Sequence, residues 1–301
     1  MRPEYSNPQL PQEVNDSDRT PLRTFAVLGG GIVAVTTAAV LVLALAGGTL
    51  ARYLPFESEV GLMAPYAGEL QPGAQEVERY LQGVAGRLIP AMALPAGMTI
   101  HVHYMDEPVV NAFATLGGHV VVFRGLIERV PDENVLAMVI AHEIGHVKHR
   151  HPIASLGRVV AVGAAVSLVS ASAGNQIVGS VLGNSGMLTL LTFSRAQEEE
   201  ADETAVAALA RVYGHAGGAT DTFTLLAAVA GERGRAEPPK LLSTHPLSQQ
   251  RIDRLARIIG QGGWQRDGAR SPLPAAVLAE IEAAKRNDKT KAEKLDAKSA
   301  E

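Results

Sequence analysis

The segment VLAMVIAHEIGHVKHRH, residues 135–151, contains residue types that bind metal ions. His142 and His146 are four residues apart, so on a helix both imidazoles lie on one face and can bind the same zinc ion. Glu143 is turned about 100° from His142 around the helix axis, beside the metal rather than on it. A carboxylate in that position can take a proton from the water that attacks a peptide bond. The alternative explanation of any H-E-x-x-H match is a plain surface helix.

A catalytic zinc site usually has three protein ligands, so a third ligand must come from another part of the chain. The pattern H-E-x-x-H-x-x-G-x-x-H would place a histidine at residue 152, but this residue is a proline, and His149 occupies the position of the glycine. We therefore interpret His149 and His151 as a solvated basic end of the helix, where positive charge is favourable for the helix dipole.

A carboxylate on a later helix is the second source of a third ligand. The segment FSRAQEEEADETA, residues 193–205, contains Glu198 and, four residues later, Asp202, which share one helix face. Glu198 could complete the zinc site, and Asp202 could accept the ring N–H of a zinc-binding histidine, with His142 as the first candidate. An acidic run on a helix is more often a solvated face, and we keep this interpretation for the two glutamates between them.

The chain around these motifs has the patterns of helices and short strands. GMTIHVHYMD alternates apolar and polar residues and predicts a strand, and NAFATLGGHVVVFRGLI predicts two short strands joined through Gly117 and Gly118. Pro131 and the polar residues after it predict the start of the helix that carries His142. Helices are predicted at about residues 74–88, 131–150, 194–212, 219–233 and 246–259.

Residues 24–51 carry no charge and predict a transmembrane anchor. The apolar stretch within them is long enough to cross the roughly 30 Å hydrocarbon core of a bilayer. A cleaved signal peptide is the alternative, because the tripeptide ALA at residues 44–46 resembles a cleavage site. We favour a retained anchor, because the stretch is longer than the apolar part of most signal sequences and the segment before it carries both signs of charge.

The charges around the anchor predict its orientation. Arg19 and Arg23 precede it closely and Arg52 follows it, so the positive-inside rule places the N-terminus in the cytoplasm and the rest of the chain outside. We expect a single-pass protein of a bacterial-type inner membrane with its folded domain facing the periplasm, and the cytoplasmic face is the alternative. Residues 1–23 are polar and proline-rich and predict a disordered tail.

Composition and the remaining segments narrow the class of protein. The net charge is −4 and the basic residues are scattered, so we expect no nucleic acid partner; the sequence does not indicate an oligomeric state. The absence of cysteine excludes disulfides, thiolate ligands and a cysteine nucleophile.

Residues 159–194 are uncharged and predict buried or membrane-touching helices around a glycine-rich loop rather than a bilayer hairpin. Residues 261–301 predict a flexible, then helical, charged C-terminal tail.

Four segments occur in the order of a known family's motifs. AHEIGH is followed by SRAQEEEAD, which matches the pattern S-R-x-x-E-x-x-A-D. NAFATLGGHVVVFRGLI is similar to a strand region of the family, and STHPLSQQRI to its His-Pro loop. The chain therefore resembles the membrane-associated zinc metallopeptidases of the HtpX, BepA and LoiP type, which include CAAX prenyl endopeptidases. The resemblance covers about residues 65–260, which we take as the zinc metallopeptidase domain.

The resemblance implies a gluzincin fold: a mainly α domain with a small β-sheet (α+β), here behind an N-terminal transmembrane helix. It implies one zinc ion per chain, held by His142, His146 and Glu198, with Glu143 as general base. It also implies endopeptidase action on misfolded or membrane-associated proteins, as in protein quality control. The extra membrane spans and the repeat platform of some members are not evident here, so partners beyond protein substrates and the membrane do not carry over.

Two further groups of residues are candidates for roles in catalysis. His245, in the His-Pro loop, could bind zinc as a fourth ligand or donate to an oxyanion, and Arg251 could anchor that loop or lie on the surface. An extended peptide could add to a strand edge near GGHVVVF, where Gly117, Gly118 and His119 would contact it. A plain hairpin turn explains the two glycines equally well.

Two other functions remain open. A non-catalytic, zinc-stabilised chaperone or assembly factor of the membrane would need no carboxylate beside the metal, so Glu143 argues against it. A CAAX-type processing protease acting inside the bilayer would need several membrane spans, and the sequence predicts one.

Overall fold

The computed structural model describes residues 21–70, 74–167, 173, 175–177, 179, 192–231, 240–246 and 248–299. Most of these residues are helical, and a small three-stranded sheet lies among the helices, so the predicted fold class is confirmed. Most of the predicted N-terminal tail and most of the predicted glycine-rich loop lie outside the described residues. The helices are α1 (Pro21–Ala51), α2 (Phe56–Met63), α3 (Gln75–Met92), α4 (Arg124–Ile127), α5 (Glu133–Lys148), α6 (His151–Ser167), α7 (Arg195–Tyr213), α8 (Ala219–Ala230), α9 (Lys240–Thr244), α10 (Gln249–Gln261) and α11 (Ala275–Ser299).

The sheet has the order β1-β3-β2. The strands β1 (His101–Met105) and β3 (His119–Phe123) are parallel, and β2 (Ala112–Ala114) is antiparallel to β3. The predicted hairpin is therefore confirmed, because β2 and β3 pair across the two glycines between them. These glycines have φ values of 69° and 81°, which residues with a side chain rarely adopt.

The position of β3 corrects the prediction that substrate adds to a strand edge near GGHVVVF. Every residue of β3 pairs with β1, and its three central residues also pair with β2, so neither edge is free. Gly117 and Gly118 are buried, and a Cβ on Gly117 would lie 3.2 Å from Cα of Val60 in α2. A Cβ on Gly118 would lie 1.9 Å from the carbonyl oxygen of Thr99, just before β1. His119 contacts the imidazoles of His101 and His103. The glycines therefore allow close packing of α2 rather than close approach of a peptide.

Helix α5 lies at the centre of the core, and every residue from Glu133 to Val147 is buried. A helix buried on all sides is surrounded by protein, and α3, α6, α7, α8 and the sheet all contact α5. The side chain of Asp132 caps its N-terminus by accepting a hydrogen bond from the backbone N–H of Val135 at 3.0 Å. The start of this helix agrees with the predicted capping segment.

Helix α1 is 31 residues long, and by length and composition it can cross a membrane. Its C-terminal end packs closely on α6, where a Cβ on Gly157 would lie 2.5 Å from the carbonyl oxygen of Gly47. Helix α6 begins two residues after the C-cap of α5. The end of α1 is therefore linked to α5 through its packing on α6.

The C-terminal segment is packed to a greater extent than predicted. In α11, Val277 and Ile281 are buried in the core, and the carboxylate of Glu280 accepts the backbone N–H of Val77 at 3.0 Å. Before α11, the carbonyl oxygen of Ser271 accepts the backbone N–H of Glu133 at 2.8 Å. The prediction of a flexible and solvated tail from residue 261 is therefore wrong for these parts, because they cover the start of α5 and one side of α3.

Candidate metal centre

Helix α5 brings three predicted site residues into the protein interior. His142 and His146 are one turn apart, and their Nε2 atoms are 3.0 Å from each other. Glu143 is fully buried beside them. The spacing that identified this segment therefore places two imidazole nitrogens at one point and a carboxylate next to it.

Helix α7 brings the acidic side chains to the same point. Ser194 caps the helix and Gln197 completes a capping box, so Glu198 falls in the first turn. The carboxylate of Glu198 lies 3.4 Å from Nε2 of His142 and 3.5 Å from Nε2 of His146. The sequence signal of this capping motif thus fixes where the carboxylate stands.

His245 joins the same group from the loop after α9. Its Nδ1 lies 2.9 Å from Oε1 of Glu198 and 3.3 Å from Nε2 of His142. One ligand atom from each of the four residues, His142, His146, Glu198 and His245, lies within 4.8 Å of the others, and all four residues are buried. Three imidazole nitrogens and one carboxylate oxygen are a donor set that suits Zn²⁺, so the residues present fit this ion.

Asp202 and Arg251 contact the ligand residues on the side away from the ligand atoms. Oδ1 of Asp202 lies 3.0 Å from Nδ1 of His142, on the side of the ring that faces away from the other donors. Arg251 donates to both carboxylate oxygens of Asp202 at 2.9 Å and lies 2.9 Å from Glu198. It also donates to the carbonyl oxygen of Pro246 at 3.0 Å, so one guanidinium ties the His245 loop to the acidic helix.

The charges of these groups shift their pKa values. Burial raises the pKa of Glu198, but His245 and His142 outweigh it, and the net shift is far below the ordinary value. Burial likewise raises the pKa of Asp202, but hydrogen bonds from His142 and Arg251 hold it below its usual range. Burial lowers the pKa of His142, but Asp202 and Glu198 outweigh it and raise the value to about 10. Both carboxylates are therefore ionised at neutral pH.

Two polar groups at the centre have no hydrogen-bond partner among the described residues. They are both carboxylate oxygens of Glu143 and Nε2 of His245, and Oε1 of Glu143 lies 3.5 Å from that nitrogen. A buried polar group without a partner costs about 1–3 kcal/mol, and more when it is charged. Groups of this kind need an explanation in a native structure, and a catalytic role or a bound ion is one.

His151 corrects the prediction of a solvated helix end. It is fully buried, and its Nδ1 lies 2.9 Å from Nδ1 of His146. Its Nε2 lies 2.9 Å from the carboxylate of Glu200, whose side chain is exposed as predicted. The chain reverses at Arg150, where φ is 59°, and this turn brings His151 under the metal helix. No local pattern in the sequence indicates a left-handed arginine, so the contact could not be predicted.

A small cavity of about 30 Å³ lies beside the donors. A volume of this size holds one or two water molecules. Parts of α8, α9 and the His245 loop cover it. Its lining residues are Met138, Val139, His142, Glu143, Asp202, Thr222, Phe223, Leu226, Leu241, His245 and Arg251.

The chain is similar to known proteins over this region. The mitochondrial metalloendopeptidase OMA1 of Schizosaccharomyces pombe is 29% identical over 208 residues, which is 68% of this chain and 60% of OMA1. The beta-barrel assembly-enhancing protease of Escherichia coli is 31% identical over 186 residues, 58% of this chain and 37% of that protein. The metalloprotease LoiP of Escherichia coli is 38% identical over 157 residues, 50% of this chain and 59% of LoiP.

This chain therefore spans less than two thirds of each of these relatives. Residues 75–259, more than half of the chain, match peptidase family M48. The match covers every residue of the candidate metal centre. The predicted family is confirmed, and the chain belongs to peptidase family M48.

Proposed function

We propose that this protein is a zinc-dependent endopeptidase whose zinc ion is held by His142, His146 and Glu198. The observation that carries the proposal is the convergence of buried ligand atoms from α5, α7 and the His245 loop within 4.8 Å of one another. A zinc ion bound there would act as a Lewis acid on the carbonyl group of the scissile peptide bond.

Glu143 acts as the general base in this proposal. Its carboxylate is fully buried next to the ligand atoms and has no hydrogen-bond partner among the described residues. It takes a proton from the attacking water and then delivers it to the leaving amine. A purely structural site, as in a non-catalytic chaperone, would gain nothing from this unpaired carboxylate, which disfavours that alternative.

His245 controls access to the site in this proposal. Its Nδ1 faces the donors and its Nε2 faces Glu143, so it occupies the space where substrate and water must enter. Released from that position, its ring could donate a hydrogen bond to the oxyanion of the tetrahedral intermediate. Arg251, which bonds Asp202 and Pro246, sets the position to which the loop returns.

Substrate would bind as an extended chain along β2 rather than β3. Within the described part of the chain, the outer edge of β2 has no strand beside it. The N–H of Leu241 lies 3.5 Å from the carbonyl oxygen of Val110, just before β2, and Leu241 also lines the cavity beside Glu143. The segment that carries His245 thus lies against the residue two before β2 and against the donors, and in this proposal one displacement would expose both.

The substrates we propose are misfolded or membrane-associated proteins. The support is α1, a helix long and apolar enough to anchor residues 24–51 in a membrane, and relatives named for beta-barrel assembly and for mitochondria. We place the peptidase domain, about residues 65–260, outside the cytoplasm, because Arg19 and Arg23 precede the anchor and Arg52 follows it.

The test uses the full chain in detergent with three probes: unfolded casein, a folded carrier protein and a prenylated peptide. We expect zinc-dependent cleavage of casein that a chelator abolishes and added zinc restores. Glu198→Ala should lose zinc and activity together, whereas Glu203→Ala, on the exposed side of α7, should keep both. Suppressed aggregation without cleavage would favour the chaperone, and cleavage restricted to the prenylated peptide would favour the CAAX-type protease.

A further inference from the structure

Three histidines outside the candidate metal centre lie together on one face of the sheet. His101 and His103 are two residues apart on β1, so their side chains leave the strand on the same side. His119 is the first residue of β3 and is in register with His101 on the neighbouring parallel strand. The strand pairing therefore gathers three imidazoles that are separate in sequence.

Two of the three rings have nitrogens at nearly the separation found at a metal site, and the ring of His101 lies beside them. Nε2 of His103 lies 2.9 Å from Nδ1 of His119, and the ring centroids of His101 and His119 are 5.3 Å apart. Two nitrogens bound to one tetrahedral zinc ion at 2.0–2.1 Å are about 3.3 Å apart. His101 is exposed, so its ring can turn toward the other two without displacing packed atoms.

A carboxylate lies on the other side of the His103 ring, near its second nitrogen. Nδ1 of His103 is buried and has no hydrogen-bond partner among the described residues. Oε1 of Glu78, on α3, lies 3.5 Å from it. A carboxylate in this position can accept the N–H of His103 and orient the ring whose Nε2 binds the ion.

The environment keeps the imidazoles in the neutral form that binds metals. Burial, followed by repulsion from His103 and His101, lowers the pKa of His119 to about 4. Burial and the nearby His101 also lower the pKa of His103. A neutral pair can share one hydrogen bond, but this leaves the third ring and the carboxylate without a role.

We propose that His101, His103 and His119, with Glu78 beside them, form a second binding site for a divalent transition metal ion such as Zn²⁺ or Cu²⁺. Three imidazoles suit these ions, and the chain has no cysteine to compete for them. A bound ion would fasten β1 to β3 at their first residues and, through Glu78, to α3. This site shares no residue with the M48 centre and does not depend on the proposed peptidase activity.

The experiment measures metal stoichiometry on the full chain in detergent, after loading with Zn²⁺ and gel filtration. We expect two zinc ions per wild-type chain and one in His101→Gln and His119→Gln. The dissociation constant of the weaker ion should rise by more than about 10-fold, since even indirect changes around a metal have this effect. His149→Gln is the matched control, because His149 belongs to neither group and bonds Thr204 at 2.8 Å; it should keep two ions.

Copper supplies an independent signature. The second equivalent of Cu²⁺ should show hyperfine coupling to imidazole nitrogens in its electron paramagnetic resonance spectrum, and His101→Gln should remove one of these couplings. Glu78→Gln should weaken the binding of this ion, whereas Glu76→Gln, in an exposed pair with Arg79, should not. A wild-type chain that binds one ion, or a His101→Gln chain that still binds two, overturns the proposal. Since His101 is exposed, its variant decides the question even if His119→Gln fails to fold.

Discussion

Glu143 is a buried carboxylate whose two oxygens have no hydrogen-bond partner among the described residues. Burying such a group lowers the free energy of unfolding, so we expect it to serve a reaction. We predict that Glu143→Gln keeps zinc and reduces casein cleavage by roughly 10²–10⁴-fold, the usual contribution of a general base. The amide has the same shape and removes the charge, so the melting temperature should not fall. Measurements of zinc content, casein cleavage rate and thermal unfolding test the predicted zinc binding, activity and melting temperature.

The matched control for this variant is Glu57→Gln on α2, which changes an exposed carboxylate and should leave all three measurements unchanged. Cleavage by Glu143→Gln at the wild-type rate would contradict its assignment as base. Loss of zinc in the same variant would instead mean that Glu143 helps to bind the ion.

His245 stands between the donors and Glu143, and its two ring nitrogens face these two groups. We predict that His245→Ala keeps zinc and binds a hydroxamate inhibitor about 10-fold more tightly, which corresponds to about 1.4 kcal/mol. Turnover should rise if the ring only shields the site and fall if it also stabilises the oxyanion. Isothermal titration with the inhibitor and casein kinetics measure both, with His149→Ala as control. Unchanged affinity and turnover would return His245 to a structural role.

At this scale the sequence predicts residues that share a local pattern and misses those joined by a turn. The i, i+4 spacing of His142 and His146, and that of Glu198 and Asp202, follow from helix geometry alone. The contact of His151 with His146 depends on the left-handed backbone at Arg150, which no propensity indicates. Such a conformation is set by tertiary contacts, here the bond of Arg150 to Glu59 at 2.5 Å.

Helices α5 and α7 form the metal centre because their backbones approach closely. Gly145, one residue before His146, packs against Ala201, one residue before Asp202, and a Cβ on Gly145 would lie 3.1 Å from Cα of Ala201. A small residue on each helix therefore allows the short side chains of the donors to meet. The separation of the helices sets whether Glu198 can reach the imidazoles.

We predict that Gly145→Leu destabilises the fold by about 1–3 kcal/mol, as overpacking usually does, and lowers zinc affinity as well, because it separates α5 from α7. Gly83→Leu is the matched control, since Gly83 is exposed on α3 with no atom within 4 Å of its Cβ position. The free energy of unfolding of this control should rise by up to about 1 kcal/mol, because Leu has a better helix propensity than Gly. Denaturant unfolding and zinc titration test both variants, and equal behaviour would contradict the role of this helix contact.

The strands were predicted from the sequence, but the strands and helices that pack beside them were not. Alternation predicted β1 and the glycines predicted the hairpin of β2 and β3, because both signals are local. The central position of β3 results from its parallel pairing with β1, which no local pattern reports. Helix α2, which packs against Gly117 and Gly118, was not predicted, so a substrate contact and a plain hairpin turn explained these glycines equally well.

The whole molecule places the metal centre close to the apolar helix. Helix α6 follows α5 after a turn and packs on the end of α1, where Gly47 and Gly157 bring the two backbones together. The core extends at the other end to α11, whose Val277 and Ile281 are buried against it. A protein anchored through α1 would therefore hold its catalytic site near the membrane surface, within reach of chains that emerge from or fail to enter the bilayer.

The orientation of the anchor decides which of these chains the enzyme meets. Arg19 and Arg23 precede the apolar stretch and Arg52 follows it, so the charge difference favours an N-terminus in the cytoplasm. We predict that alkaline phosphatase fused after Glu301, in a bacterial host, is active, and that green fluorescent protein at the same position is dark. Arg19→Glu/Arg23→Glu should reduce the phosphatase signal, because it removes the charges that hold the N-terminus inside, whereas Arg129→Glu in the folded domain should not. A bright fluorescent fusion with an inactive phosphatase would reverse the orientation and place the peptidase, with its substrates, in the cytosol.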